Sequence, residues 1–144
     1  MFYSKITKKK YLIRLERGEE VNYSIKKFCK NQQIANSIIL AIGSIENPIL
    51  AHYNVNNKKY TEKKLPGIFE LTNLTGNVGM FKNEPLVHSH ATLSDADMKA
   101  YAGHLVEGKI SATCEIFLID LGSNFTKSHN EEIGLKLWDL LKNK

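Results

Sequence analysis

The sequence predicts an α+β fold: a mainly antiparallel β-sheet packed with one long helix. Strand patterns bounded by turn residues fill most of the chain. A single early segment, Val21 to Cys29, sets apolar residues at helical spacing instead. Strands and helices do not alternate, which argues against a parallel sheet built from strand–helix–strand units.

Taken in order, Tyr11 to Leu15 reads as a strand. Gly18-Glu19-Glu20 then opens the helix with acidic residues in its first turn, and Val21, Ile25, Phe28 and Cys29 form its buried stripe. Ile34 to Leu40 begins the next strand, punctuated by Gly43, with Pro48 marking a bend or an edge. Asn54 to Asn57 is a turn, and Lys59 to Leu65 a polar, exposed strand. Phe69, Leu71 and, after a change of step, Leu74 mark another strand, interrupted by Gly76 and Gly79. Three strands follow closely: Pro85 to Leu93, Lys99 to Val106 and Lys109 to Leu121. Ser94-Asp95-Ala96-Asp97 supplies the first connection and Glu107-Gly108, read as a two-residue hairpin loop, the second. Ile133, Leu137, Leu140 and Leu141, with Trp138, fit a short C-terminal amphipathic helix.

The 144 residues suit one domain, 1–144, and a 42% apolar fraction can fill a core without disulfide staples. No apolar run approaches the roughly 18 residues of a membrane helix. The stretch after the N-terminal lysines is broken by Arg14 and Glu16, unlike a secretory segment. Cys29 and Cys114 fit free thiols in a reducing compartment, so a cytoplasmic location is expected. The net charge of +5 invites a nucleic-acid reading, yet of the 20 basic residues only Arg14 and Arg17 are arginine. Base reading leans on the planar guanidinium fork. Lysines offer weak, sequence-independent attraction to phosphate, or simply a solvated surface.

His88 and His90 stand two apart on a strand and so leave the same face. With the turn centred near Ala96 and Asp97, antiparallel partners have numbers summing to about 193. His104 then falls opposite His88 to His90, where facing Cβ atoms lie about 4.5–5.5 Å apart. Three neutral imidazoles are a ligand set for Zn²⁺, the first choice here, and leave a position for water or substrate. Iron, nickel or copper would also accept them. The Glu107-Gly108 hairpin sets His104 opposite Ser111, with Thr113 and Glu115 on the histidine face and Cys114 turned to the core. Glu115 is then roughly 13 Å from Ser111, too far to ligate within one chain. His52 and His129 lack such partners and read as structural or surface residues. A lone strand histidine ordinarily has no ligand role, and it is the third imidazole that makes a metal site the sharper reading.

Other chemistry is thin. There is no G-x-S-x-G elbow, P-loop or G-x-G-x-x-G fingerprint, and no catalytic residue can be assigned. Asp95 and Asp97 sit in a tight turn, where capping is their expected role.

With these residues in view, the chain resembles the PPC (plants and prokaryotes conserved) domain family, in its stand-alone prokaryotic form. The likeness rests on YLIRLERGEEV (11–21), AIGSI (41–45), GIFELTNLTGNV (67–78), PLVHSHATLSD (85–95) and GHLVEGKISATCEIF (103–117), in the family's order. The resemblance implies an α+β subunit assembling as a homotrimer, with His88, His90 and His104 at a metal site near a subunit interface. It also implies a DNA-associated or regulatory role. The arginine-rich hook of plant members has no counterpart here, and Ala102 stands where a glycine is common. Two other readings stay open: a metal-dependent enzyme of hydrolase or lyase type, in which Glu115 of a neighbouring subunit would complete the site, and a small-molecule-sensing or scaffold trimer.

Overall fold

Side chains alternate between the two faces of Lys10–Glu16, so Tyr11, Ile13 and Leu15 are buried while each neighbour, the apolar Leu12 included, is exposed. This is strand β2 of a computed structural model that describes residues 1–141. It follows β1 (Phe2–Thr7) and precedes the helix α1 (Val21–Asn31). Next come β3 (Ser37–Asn54), β4 (Lys59–Lys64), β5 (Ile68–Phe81), β6 (Glu84–Ser94) and β7 (Ala100–Asp120), then β8 (Lys127–Asn130) and β9 (Leu135–Trp138). All pairings between these strands are antiparallel. The expected α+β architecture is the one observed.

The first seven strands form one sheet in the order β1-β2-β7-β6-β5-β3-β4, and β7 also pairs with β3. That extra pairing closes a circuit through β7, β6, β5 and β3. Its inner face, capped by α1, holds the core: Ile13, Leu15, Val21, Ile25, Phe28, Ile39, Ile45, Leu71, Leu74, Leu93, Leu105, Ile110 and Ile116 are almost wholly buried. The helix starts at Val21, directly after Glu20, so the Glu19 and Glu20 carboxylates both precede its first turn, which holds no acidic residue. Glu20 is its N-cap, its carboxylate accepting from the backbone N–H groups of Asn22 and Tyr23. The same carboxylate accepts from the Gly108 N–H at 3.3 Å and so anchors the helix start to β7. Cys29 and Cys114 are free and buried, and desolvation pushes both thiols up to about 12.

Two expectations of secondary structure are corrected. The segments Lys99–Val106 and Lys109–Leu121 are not two strands about a hairpin but one strand, β7. Gly108 is not among the residues at positive φ that such a loop needs. It is small because a Cβ there would lie 2.3 Å from Ile45 Cδ1. The chain goes straight on, and a register shift against β3 between Glu107 and Leu105 moves the inner face from odd to even residue numbers. Strand β3 runs on without a break through Gly43 and Pro48 to Asn54. The C-terminal apolar residues form no helix. Asn130 Oδ1 accepts from the Ile133 N–H, Gly134 takes φ +80°, and the chain reverses into the β8–β9 hairpin. Strand β1, all of it exposed, was not foreseen. The change of step in β5 is a bulge between Leu71 and Asn73.

A methyl group at Gly43 would sit 2.3 Å from the Thr113 carbonyl oxygen and 2.7 Å from Cys114 Cα, both backbone. Gly43→Ala is therefore expected to lower stability by about 2–3 kcal/mol, read as a lower urea midpoint at unchanged slope.

Candidate metal centre

The β6–β7 connection is built as its sequence suggests. Asp95 Oδ1 accepts from the Asp97 and Lys99 N–H groups at 3.0 Å each, and the Tyr101 hydroxyl donates to Oδ2. This turn sets the register His90↔His104, a sum of 194 beside the expected value of about 193. The neighbouring Ser89 points inward and donates to Asn22 Oδ1 of α1 at 2.9 Å. His88 and His90 therefore project outward, on the face away from the helix.

The three rings meet there. Ring centroids are 5.3 Å apart for His88–His90, 5.2 Å for His88–His104 and 5.5 Å for His90–His104. One nitrogen from each lies within 4.8 Å of the others. Nitrogens on one tetrahedral ion at about 2.05 Å are roughly 3.3 Å apart, so small ring rotations would bring them onto it. His88 and His90 are exposed and His104 is half-buried. Among the described residues the buried His104 Nδ1 has no hydrogen-bond partner, a lone donor or acceptor that a ligand would satisfy.

Electrostatics favours the neutral, metal-ready imidazole. Desolvation, then the Lys127 ammonium, then the other two rings lower His88 to about 4. His104 is also lowered, by burial and by His90, with the Glu62 carboxylate pulling the other way. Glu62 belongs to the same cross-strand row, since Ala51 pairs with Glu62 on one side and with His104 on the other. The Tyr60 ring lies 5.4 Å from His104 and 4.8 Å from Tyr53.

The C-terminal hairpin brings residues that sequence reasoning missed. Lys127 is buried at 5% exposure; its Nζ donates to Asn77 Oδ1 at 2.7 Å and lies 4.5 Å from the centre of the Trp138 ring. Asn77 is the cross-strand partner of His88. The ring of Trp138 rests on Gly79, where a Cβ would come within 2.6 Å of it. At the hairpin's turn, the Tyr53 hydroxyl donates to the Ile133 carbonyl at 2.6 Å, and Lys58 Nζ to that of Glu131 at 2.7 Å. The one available signal was the Asn130–Gly134 turn chemistry, masked by apolar spacing that imitates a helix.

Other candidates stay apart. Glu115 shares the outer face but lies eleven positions beyond His104 on the same strand, on the order of 30 Å away. It stands opposite Arg14 and Ile42. Cys114 is inward and buried, as expected. His52 lies outside the cluster, and His129 faces Glu131 at 3.6 Å.

A curved antiparallel sheet with one helix and three outward imidazoles defines a class of small β-rich protein with a candidate metal centre. The chain belongs to the Plants and Prokaryotes Conserved (PCC) domain family, whose profile matches residues 4–122. Among solved structures, it is similar to a plant- and prokaryote-conserved (PPC) protein of Pyrococcus horikoshii: 38% identity, TM-score 0.87, 93% of each chain covered. A Bacteroides thetaiotaomicron protein described as a candidate DNA-binding protein shares 29% identity at TM-score 0.92, covering 96% of each chain. A metal-containing protein of Archaeoglobus fulgidus shares 29% at TM-score 0.85, covering 96% of this chain and 98% of that one. No curated relative matches. Among the described residues, no helix is long and apolar enough to cross a membrane.

The lowered His88 value has a consequence for the metal-free protein. Between about 6.5 and about 4 the unfolded chain takes up a proton that the folded one refuses. Stability should thus be full above that window and fall as pH drops through it. Thermal unfolding at stepped pH checks this, and His88→Gln should flatten part of the slope.

Proposed function

We propose that this protein is a homotrimeric DNA-associated or regulatory binding protein organised around a divalent transition ion, Zn²⁺ first among the candidates, held by His88, His90 and His104. The observation that carries the metal reading is the convergence of three imidazole nitrogens within 4.8 Å, with His104 Nδ1 buried and, among the described residues, unpartnered. The metal-containing relative from Archaeoglobus fulgidus supports it. An ion bound there supplies a Lewis acid with a position left for a water or another ligand. The chain's own part is to hold the imidazoles neutral on a rigid sheet and to leave His88 and His90 facing solvent.

Self-association is supported by the outer face of β2, β7 and β3. There Leu12, Phe117 and Leu40 stand in one cross-strand row, flanked by Ile38 and Ile42, and all five are exposed. An apolar patch of this kind is a protein-contact surface. The candidate DNA-binding relative supports association with DNA. With lysine as its main cation, the protein would attract phosphate without reading bases. Free buried thiols accord with a reducing, cytoplasmic setting.

A second reading, a metal-dependent enzyme, is favoured by the exposure of two of the three imidazoles, which leaves the ion approachable. Glu115 of the same chain is too far along β7 to act as its base.

Elemental analysis of dialysed, tag-free protein should find close to one ion per chain, lost in both His88→Ala and His104→Ala. Absence of metal from the wild type would sink the metal reading. Retardation of duplex DNA should be seen at low salt only and be steeply weakened by added salt. A trimer in sedimentation equilibrium should dissociate in Phe117→Glu, which sets a carboxylate in the apolar row while leaving the metal content unchanged.

A further inference from the structure

A nearly buried ammonium is costly unless an opposite charge or full hydrogen bonding compensates it. Among the described residues Lys127 has neither: there its Nζ makes one hydrogen bond, to the neutral Asn77 amide oxygen, and rests on the Trp138 ring. Among the described residues no carboxylate comes within 4 Å of it. An ammonium has three N–H donors, so two remain. Asn77 and His88 are direct cross-strand partners, with Cβ atoms about 4.5–5.5 Å apart. The ammonium therefore lies one side chain from the imidazole cluster. A dication there would add to the positive charge, and the exposed Glu62, beside His104, is not in contact with Lys127.

We propose that Lys127 and the ion held by the three histidines together form a receptor for a small oxyanion, a carboxylate or phosphate group that takes one oxygen to the metal and another to the ammonium. The proposal rests on the metal reading above and names the class of molecule that the site binds. Position 77 argues for it. An aspartate there would neutralise Lys127 permanently, whereas the asparagine amide aims the ammonium and leaves its charge for a ligand. Burial lowers the Lys127 pKa, a desolvation penalty that a bound anion would relieve. The hairpin leaves Lys127 only 5% exposed, which suits a small molecule and not the phosphate backbone of a duplex. The residues involved come from two parts of the chain. The histidines and Asn77 fall within the family-matched 4–122, while Lys127 and Trp138 lie beyond it.

Trp138 is the chain's only tryptophan, so its fluorescence reports events at Lys127 directly. The test titrates inorganic phosphate, and separately acetate, into zinc-loaded and zinc-free wild type, Lys127→Met and Asn77→Asp, with the metal content of every sample measured. The expected result is saturable quenching or a shift in the zinc-loaded wild type. Binding should weaken at least tenfold in both variants while each keeps its zinc. Lys127→Met removes the charge; Asn77→Asp keeps it but fills it internally, and tests the idea even if the first variant folds poorly. Equal phosphate and acetate affinity in wild type and Asn77→Asp, or no binding of either by zinc-loaded wild type, would overturn the proposal. If the wild type holds no zinc, the metal reading fails by itself. The zinc-free titration then decides whether Lys127 captures anions, with loss in Asn77→Asp supporting that and no loss refuting it. A short duplex that displaced phosphate from the site would refute the small-molecule assignment.

Discussion

The close contact of two long strands, β3 and β7, governs the rest of the molecule. They touch backbone to backbone at Gly43 and remain in register or near it from Ser37↔Asp120 to Ala51↔His104. Each carries other partners: β3 pairs with β5 and β4, and β7 with β2 and β6. The circuit closes only because these two run on past every point where a turn was conceivable. Continuity also decides orientation. At one end of β7 the side chain of His104 is outward; at the other, Cys114, Ile116 and Leu118 are inward on even numbers. The register shift near Glu107 permits both in a single strand. The Glu20 carboxylate, which caps the helix and meets Gly108, stands at that same shift.

Much of this was legible in the sequence, and where it was not the causes are local. The histidine register could be read because the Asp95 turn obeys ordinary side-chain-to-backbone chemistry. The inward placement of Cys114 was expected from a hairpin that does not exist. A two-residue reversal and a one-residue bulge happen to leave the same residues inside, so parity could not tell them apart. Gly108 was ambiguous because glycine serves equally for positive φ and for close packing, and only the Ile45 side chain, 63 positions earlier, decides between them. At the C-terminus, Ile133, Leu137, Leu140 and Leu141 match a helical period, but Asn130 and Gly134 close a turn, and β8 and β9 pair through backbone bonds that propensity does not register. Lys127 thus escaped notice, since its importance lies wholly in a tertiary contact with β5.

The outer surface is divided by chemistry. Over β6 and the first part of β7 it is polar and carries the imidazoles; over the second part of β7 and the start of β3, with Leu12 of β2, it carries an apolar row bordered by Arg14 and Glu115. Neither region shares side chains with the core, so the histidine cluster and the apolar row are separated from the core by the thickness of one sheet. Strand β4, exposed throughout and rich in lysine, closes one edge of that sheet with charge.

The burial of both cysteines bears on how the protein can be handled. With their thiols pushed up to about 12 and sealed beneath α1 and β7, neither offers thiolate to an alkylating reagent at neutral pH. A cysteine introduced on the surface would be the single reactive thiol in the chain, so a spectroscopic label could be attached at a chosen position without first removing the native residues from the core.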